Sequence, residues 1–225
     1  MKLLELSLQT DGQPRFRQHL GEIKRYVADL PLDFDAPPGE SHYDNAVLPL
    51  VDAVLSMNRQ YAGFVVPRVE LIRHSGIQTI DQLNDAITHL GISGFCQLWH
   101  YNHPQRVEIL KRLIAKFQAI KKDMEIEDDL IAINAWGTKS TIADFDNFDV
   151  KGIGFTTFQY LRLLCGADTV KPDIHLRRAV KDATGRPMSK LVTVTLVEET
   201  AHELGIPARR LDYALWRYYS QGKSN

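Results

Sequence analysis

The sequence contains few cysteines and no long apolar run, and both absences exclude classes of protein. Two cysteines, Cys96 and Cys165, are too few for a four-cysteine zinc or iron–sulfur site. We expect both to be reduced core thiols in a cytoplasmic protein. No stretch approaches the about 18 apolar residues of a membrane-spanning helix, and residues 1–9 are too short and too charged for a signal peptide. We therefore expect no membrane partner.

Motifs for nucleotides and metals are incomplete in this sequence. Residues 137–140, Gly-Thr-Lys-Ser, are similar to the end of a phosphate-binding loop, but the Gly-x-x-x-x-Gly that must precede it is missing. His100 and His103 lie close together, and no third ligand follows at a recognisable spacing. We therefore predict no metal site built from side chains and no cofactor.

The composition is that of an ordinary globular protein, with 225 residues, 44% of them hydrophobic and 24% charged. The net charge of −1 conceals an asymmetry. Residues 151–225 contain 12 Lys and Arg against 7 Asp and Glu, whereas residues 1–150 contain 15 against 21. The positive charge is thus concentrated in the C-terminal third, as a nucleic-acid-binding surface would require.

Hydrophobic periodicity predicts an all-α protein without a strand. The Pro- and Gly-rich residues 31–41 predict a loop, which we interpret as a crossing between two lobes. The predicted helices cover residues 13–30, 42–62, 66–75, 79–90, 104–121, 127–136, 141–150, 155–164, 172–184, 189–204 and 207–220.

A glycine turn at residues 151–154 is the first candidate for a binding site. Gly152 and Gly154 flank the apolar Ile153, and glycine allows both positive φ and close approach of another molecule. Because a helix follows at once, the turn lies at a helix N-terminus, which favours anions such as phosphate. The side chains that can add contacts are those of Lys151, Thr156 and Thr157.

An acid follows at the start of the next predicted helix. Pro172 suits a helix start, with the chain before it extended. Asp173 then falls in the first turn, where the helix dipole stabilises a carboxylate. An acid at this position can also be purely structural. The side chains able to hold phosphates nearby are Lys171, His175, Arg177 and Arg178.

The segment from Val150, Val-Lys-Gly-Ile-Gly-Phe-Thr-Thr, is followed from Pro172 by Pro-Asp-Ile-His-Leu-Arg-Arg. This pair resembles the helix-hairpin-helix, Gly/Pro-Asp signature of the endonuclease III-like DNA glycosylases, closely over residues 148–178 and loosely over 42–220. The resemblance implies an all-α fold of two helical lobes with a DNA groove between them. One lobe would be barrel-like, cover residues 42–160 and end in the hairpin. The other would combine residues 1–41 with 161–225.

The resemblance also implies roles for the two motifs. The hairpin, Lys151 to Gly154, would grip DNA phosphates through its backbone, with a K⁺ or Na⁺ ion at the Lys151 and Ile153 backbone. Asp173 would promote loss of the damaged base. Many relatives carry a C-terminal four-cysteine iron–sulfur cluster, which this sequence lacks the cysteines to form. The implied partner is double-stranded DNA containing a lesion, bound by a monomer.

A polar cluster at the end of the predicted helix 42–62 matches the segment that such enzymes push into the base stack. Asn58 is the matching position, with Arg59 and Gln60 beside it. Asparagine stands where the family often has glutamine, so the wedge would be shorter. We expect Trp99 and Tyr101 to stack on a base or line the pocket.

The residue two positions after the second hairpin glycine bears on the reaction type. Family members that also cut the strand have a lysine there, which forms a Schiff base with the sugar. Here the residue is Thr156, so we predict a monofunctional glycosylase that hydrolyses the N-glycosidic bond.

Two other classes stay open on the sequence alone. A helix-hairpin-helix protein could bind DNA without catalysis; it would release no base, and Asp173→Asn would leave its binding unchanged. A helical interaction protein without nucleic-acid function would bind DNA weakly and with little dependence on salt.

Overall fold

The computed structural model describes residues 2–34 and 43–220, and of residues 2–13 only the helical backbone. Within these ranges the chain is all-α, as the sequence predicts. A π-helical turn covers Tyr61–Val65 and a 3₁₀ turn covers Ile142–Asp144. The helices are α1 (Lys2–Asp29), α2 (Val47–Leu55), α3 (Val66–His74), α4 (Ile80–Leu98), α5 (Pro104–Asp123), α6 (Asp129–Lys139), α7 (Phe145–Phe148), α8 (Phe155–Leu164), α9 (Ile174–Thr184), α10 (Lys190–Leu204) and α11 (Ala208–Ser220). No helix in the described ranges is both long and apolar enough to cross a membrane.

The chain divides into two compact units. The terminal unit combines Met1–Glu40 with Asp168–Asn225, and the central unit is Ser41–Ala167. The second boundary lies later than the expected one after residue 160, because α8 belongs to the central unit as a whole: Phe158, Leu161 and Leu164 are all buried in its core. Most of the proposed crossing loop, residues 35–41, lies outside the described residues.

The terminal unit is built from α1 and the last three helices. α1 packs against α9 and α10, and α11 packs against the same two helices. The unit's core is formed by side chains at helical spacing, among them Leu20, Ile23, Val27, Leu176, Val180, Leu196, Leu211 and Leu215. This packing places the residues just before α9 beside α11.

The central unit is organised around α2, in which every residue from Val47 to Leu55 is buried. One of these residues is an acid: Asp52 is 0% exposed. Its carboxylate accepts hydrogen bonds from the hydroxyls of Tyr43 at 2.6 Å, Tyr61 at 3.0 Å and Tyr160 at 3.0 Å. Burial, followed by the nearby Asp52 charge, raises the pKa of all three tyrosines. The tyrosines therefore stay neutral donors that satisfy the buried acid.

Four predicted helix ends differ from the structure by five residues or more. α1 begins at Lys2 rather than at residue 13, and α2 begins at Val47 rather than at residue 42. α2 ends at Leu55, whereas the sequence predicts a helix to residue 62; the chain turns at Asn58, which has a left-handed φ of 56°. α4 continues to Leu98 beyond the predicted end at 90, across a break at Gly91 with φ 66°. The predicted helix 141–150 is the weakest of all, since it is only the 3₁₀ turn and the one-turn α7.

Candidate functional site

The glycine turn at residues 151–154 connects α7 to α8, and packing within the central unit holds it in place. Ile153 N donates to Val150 O at 2.9 Å, and Gly152, the third residue of this turn, has φ 102°. A β-carbon at Gly152 would lie 2.6 Å from Cγ1 of Ile109 on α5. Both the backbone and the packing therefore require glycine at position 152. Ile153 anchors the turn in the core, with 8% of its surface exposed.

Gly154 has neither of these requirements. Its φ is −88°, and a β-carbon there would meet no atom within 4 Å. Gly154 is the N-cap of α8, and its carbonyl accepts the first hydrogen bond of the helix, from Phe158 N at 2.9 Å. The space over Gly154 is thus open at the positive end of the helix dipole, with Thr156 and Thr157 partly exposed in the first turn.

Basic side chains from α5 lie beside this turn. Arg112 Nη1 donates to Lys151 O at 3.3 Å, and Lys116 Nζ donates to Asn147 O at 3.4 Å. Together with Lys151 they form a group of three cations, which we call the basic patch; Arg112 and Lys151 are exposed, and Lys116 is partly buried. Asp149, exposed at the start of the turn, reduces its net charge. The sequence analysis missed Arg112 and Lys116, although their spacing of four residues places them on one face of α5.

The carbonyl oxygens of the turn are a poor match for the ion that the resemblance implies. The Lys151 carbonyl already accepts the hydrogen bond from the Arg112 guanidinium, and a K⁺ or Na⁺ ion at the same oxygen would lie against this positive charge. The residues present do not fit a bound cation, and we base no step on one.

Asp173 is the N-cap of α9. The sequence predicts it within the first helical turn, but the helix begins one residue later, at Ile174. Asp173 Oδ1 accepts from His175 N at 2.8 Å and from Leu176 N at 3.1 Å. Oδ2 has no hydrogen-bond partner among the described residues, and the side chain is partly exposed. One oxygen thus fixes the orientation of the carboxylate while the other is available.

The loop 168–173 that carries Asp173 is held by other acids of the terminal unit. Asp168 Oδ1 accepts from Arg209 N at 3.0 Å, and Thr169 Oγ1 donates to Glu198 at 2.6 Å. Asp212 Oδ1, on α11, accepts from Lys171 N at 3.1 Å. Burial, and next the charge of Asp173, raises the pKa of Asp212 well above its ordinary value.

Asp212 was missed by the sequence analysis. The only sequence signal is an acid beside the apolar positions Leu211 and Leu215 of α11. Nothing in the sequence indicates that this face of α11 meets loop 168–173, so the contact of Asp212 with the Lys171 backbone appears only in the folded unit.

The surface around Asp173 is basic, with one exposed apolar side chain. Arg177 and Arg178 are exposed on α9, and Arg178 also lies 5.7 Å from the ring centre of Tyr219. Lys171 and His175 are partly buried. Ile174, directly after Asp173, is 76% exposed.

The predicted wedge lies in the turn after α2 rather than on a helix. Asn58, Arg59 and Gln60 are all exposed. The Gln60 side chain already makes a local hydrogen bond, because its Oε1 accepts from Gly63 N at 2.5 Å. Arg106 Nη2 donates to Met57 O at 2.8 Å and holds the turn. Asn58 occupies the left-handed position of the turn.

Arg59 belongs to an arginine–aromatic cluster formed by Arg59, Phe64, Arg68 and Tyr101. Arg68 lies 3.8 Å from the centre of the Phe64 ring, which meets Tyr101 edge-on at 4.8 Å. Arg59 Nη2 donates to the Tyr101 hydroxyl at 2.8 Å. Planar cationic and aromatic surfaces of this kind suit stacking on nucleobases. The sequence analysis missed Phe64 and Arg68.

Trp99 does not line this surface, which contradicts its predicted role in stacking on a base or lining the pocket. It is 0% exposed, and its Nε1 donates to Tyr101 O at 2.8 Å. Its indole ring packs in the core of the central unit, and this hydrogen bond fixes the Tyr101 backbone. The mixture of aromatic and polar residues around it suggested a surface position, but the size of the indole ring favours burial.

A family model described as Domain of unknown function (DUF8548) matches residues 22–220. The match includes the glycine turn, Asp173 and Asp212, and covers most of the chain, so the chain belongs to this family. No curated protein and no solved structure matches the sequence.

Proposed function

We propose that this member of the DUF8548 family is a monofunctional DNA glycosylase, which hydrolyses the N-glycosidic bond of a damaged or mismatched base in double-stranded DNA. The observation that carries the proposal is Asp173, a carboxylate oriented through Oδ1 by two backbone N–H groups while Oδ2 has no partner among the described residues. It stands in a sequence motif that resembles the catalytic motif of the endonuclease III-like glycosylases.

Binding of the DNA backbone would use the open N-terminus of α8 over Gly154 together with the basic patch. A helix N-terminus attracts a phosphate through its dipole, and lysine and arginine add charge with little dependence on base sequence. In the terminal unit, Lys171, Arg177 and Arg178 would add similar contacts. These contacts position the DNA and do not select the lesion.

Base release would then depend on the Asp173 carboxylate. Cleavage of the bond gives the sugar positive charge in the transition state, and a nearby carboxylate stabilises that charge. The base must first leave the stack, at a cost of roughly a few kcal/mol that is lowest for a damaged or mismatched pair. Asn58 and the arginine–aromatic cluster offer the polar and stacking surfaces that could occupy the gap or hold the displaced base.

Hydrolysis without strand cleavage follows from Thr156. The lyase reaction of the bifunctional relatives needs an amine at this position to attack the sugar. A threonine hydroxyl cannot form a Schiff base, so the product would be an intact strand with an abasic site.

The test is base release from duplex oligonucleotides that each contain one damaged or mismatched base, with strand cleavage measured before and after hot alkali. We expect cleavage only after alkali, for one or a few lesions, and its loss in Asp173→Asn. Cleavage without alkali would contradict the monofunctional assignment. Asp128→Asn is the matched control, because Asp128 is likewise an N-cap aspartate, accepting from Ile131 N at 2.8 Å on α6.

A non-catalytic DNA-binding protein is the second candidate, and one observation favours it. Both hydrogen bonds to the Asp173 side chain are those of an ordinary N-cap. In that case the wild-type protein would release no base from any lesion, and Asp173→Asn, which preserves a good N-cap, would bind DNA as tightly as the wild type.

A further inference from the structure

We propose that Asp212 is the second carboxyl group of the reaction, which donates a proton to the leaving base while the Asp173 carboxylate stabilises the sugar. This inference rests on the proposed glycosylase function. It assigns a separate task to a residue that the sequence motif does not include.

The geometry joins the two acids through one short loop. Lys171 N donates to Asp212 Oδ1 at 3.1 Å, and Asp173 N donates to Lys171 O at 2.7 Å. The peptide units on the two sides of Lys171 therefore connect α11 to the cap of α9. Pro172, between them, is buried, which further restricts the loop. Asp212 is partly exposed as a residue, while its carboxyl group is enclosed closely enough for burial to raise its pKa.

The two carboxyl groups have different environments. Asp173 lies at the positive end of α9 and accepts two backbone N–H groups, contacts that suit an anion. Asp212 lies against the apolar face of α11, and burial raises its pKa, with the charge of Asp173 adding to the effect. Two neighbouring acids whose environments differ in this way are the usual arrangement of an acid and its ionised partner. The same division of tasks occurs in glycoside hydrolysis.

The proposed step balances with water as the only co-reactant. The C1′–N bond breaks, and its electron pair goes to the base nitrogen as the base takes up the proton of Asp212. Water adds to C1′ of the sugar and gives its proton to the Asp173 carboxylate. Transfer of that proton to Asp212, directly or through solvent, restores both groups. The products are the free base and an abasic site.

The test uses the leaving-group dependence of Asp212→Asn. The asparagine Oδ1 can still accept from Lys171 N, so the loop keeps its contact, but the side chain has no acidic proton. Single-turnover base release is measured for a neutral base that the wild type excises and for a counterpart that leaves more easily: a 7-methyl derivative for a purine, or a 5-fluoro derivative for a pyrimidine. Binding to the same duplexes and the thermal midpoint are measured as controls for folding.

We expect Asp212→Asn to slow release of the neutral base by about 10²- to 10⁴-fold, the usual contribution of a general acid. Release of the better leaving group should be slowed far less, with binding unchanged. An equal loss on both bases would show that Asp212 only supports the loop, and no loss on either would also contradict the inference; in both cases the glycosylase function would stand. A wild type that excises only cationic bases would contradict it too, since these need no proton. If the wild type released no base at all, the proposed function would fail, and this inference with it.

Discussion

Two aspartates, Asp52 in the central unit and Asp173 in the terminal unit, differ in their burial and in their hydrogen-bond partners. In the central unit Asp52 has no exposed surface, and three tyrosine hydroxyls satisfy its carboxylate. In the terminal unit Asp173 is partly exposed and uses only one oxygen for its cap. A buried acid whose oxygens are both hydrogen-bonded stabilises a fold, whereas an acid held by one oxygen leaves the other without a partner. The comparison teaches that the partners of an acid, more than its burial, indicate whether it is available for chemistry.

The two glycines of the turn make the same contrast within one motif. Gly152 is required by a positive φ and by the approach of Ile109. Gly154 has an ordinary φ and open space around it. Packing and a positive φ explain the first glycine, whereas the second is a favoured N-cap residue with open space in front of it.

The largest effect on stability should come from Asp52. We expect Asp52→Ala to lower the free energy of unfolding by about 3–5 kcal/mol, because it leaves three tyrosine hydroxyls without their acceptor. Asp173→Ala, which removes an N-cap, should cost only about 1 kcal/mol. Urea unfolding of both variants measures the difference. Equal losses would contradict the contrast between the two acids.

The glycine pair should separate stability from binding. We expect Gly152→Ala to cost about 1–3 kcal/mol, because the new methyl group meets Ile109 at a strained φ. Gly154→Ala should cost less, about 0.5–1 kcal/mol for replacing a glycine N-cap by alanine, but it should weaken binding to duplex DNA, because the methyl group enters the space over the N-terminus of α8. Unfolding and fluorescence-anisotropy titrations measure the two properties. Unchanged DNA binding by Gly154→Ala would contradict a phosphate site at the N-terminus of α8.

The raised pKa of Asp212 should make its contribution to stability depend on pH. The folded state keeps a proton that the unfolded chain loses above about pH 4, so the folded protein binds more protons and its stability falls with rising pH until the folded pKa is passed. Asp212→Asn lacks this slope. We therefore expect the wild type to lose stability relative to Asp212→Asn as the pH rises from about 4. Parallel pH profiles of the two proteins in urea unfolding would contradict the raised pKa.

The smallest effect should come from the basic patch. We expect Arg112→Gln to weaken DNA binding and to reduce the slope of log K against log salt concentration by about 1, the loss of one phosphate contact. Lys122→Gln is the matched control, since Lys122 is exposed near the far end of the same helix. If the two variants had the same slope of log K against log salt concentration, Arg112 would not contact a DNA phosphate.

The helices were predictable from the sequence where their apolar faces are regular. The predicted ranges 104–121, 189–204 and 207–220 differ from α5, α10 and α11 by two residues or fewer at either end. The end of α2 was not predictable, because the left-handed turn at Asn58 depends on a long-range contact, that of Arg106 with the Met57 carbonyl.

The candidate site was predictable only where it lies in one segment. The glycine turn and Asp173 form a local motif, and both their types and their spacing can be recognised in the sequence. Arg112, Lys116 and Asp212 join these residues by tertiary packing of α5 and α11, which a single sequence does not specify. Trp99 was placed wrongly for the same reason, since its burial depends on helices that surround it in space.

Single-turnover base release by Asp173→Asn, beside Asp128→Asn and the wild type, tests the central claim most directly. We predict a loss on the order of 10³-fold in the rate for Asp173→Asn, with a thermal midpoint and DNA affinity close to those of the wild type, and no loss for Asp128→Asn. If Asp173→Asn released the base at the rate of the wild type, Asp173 would be an N-cap and nothing more, and the proposed mechanism would be wrong.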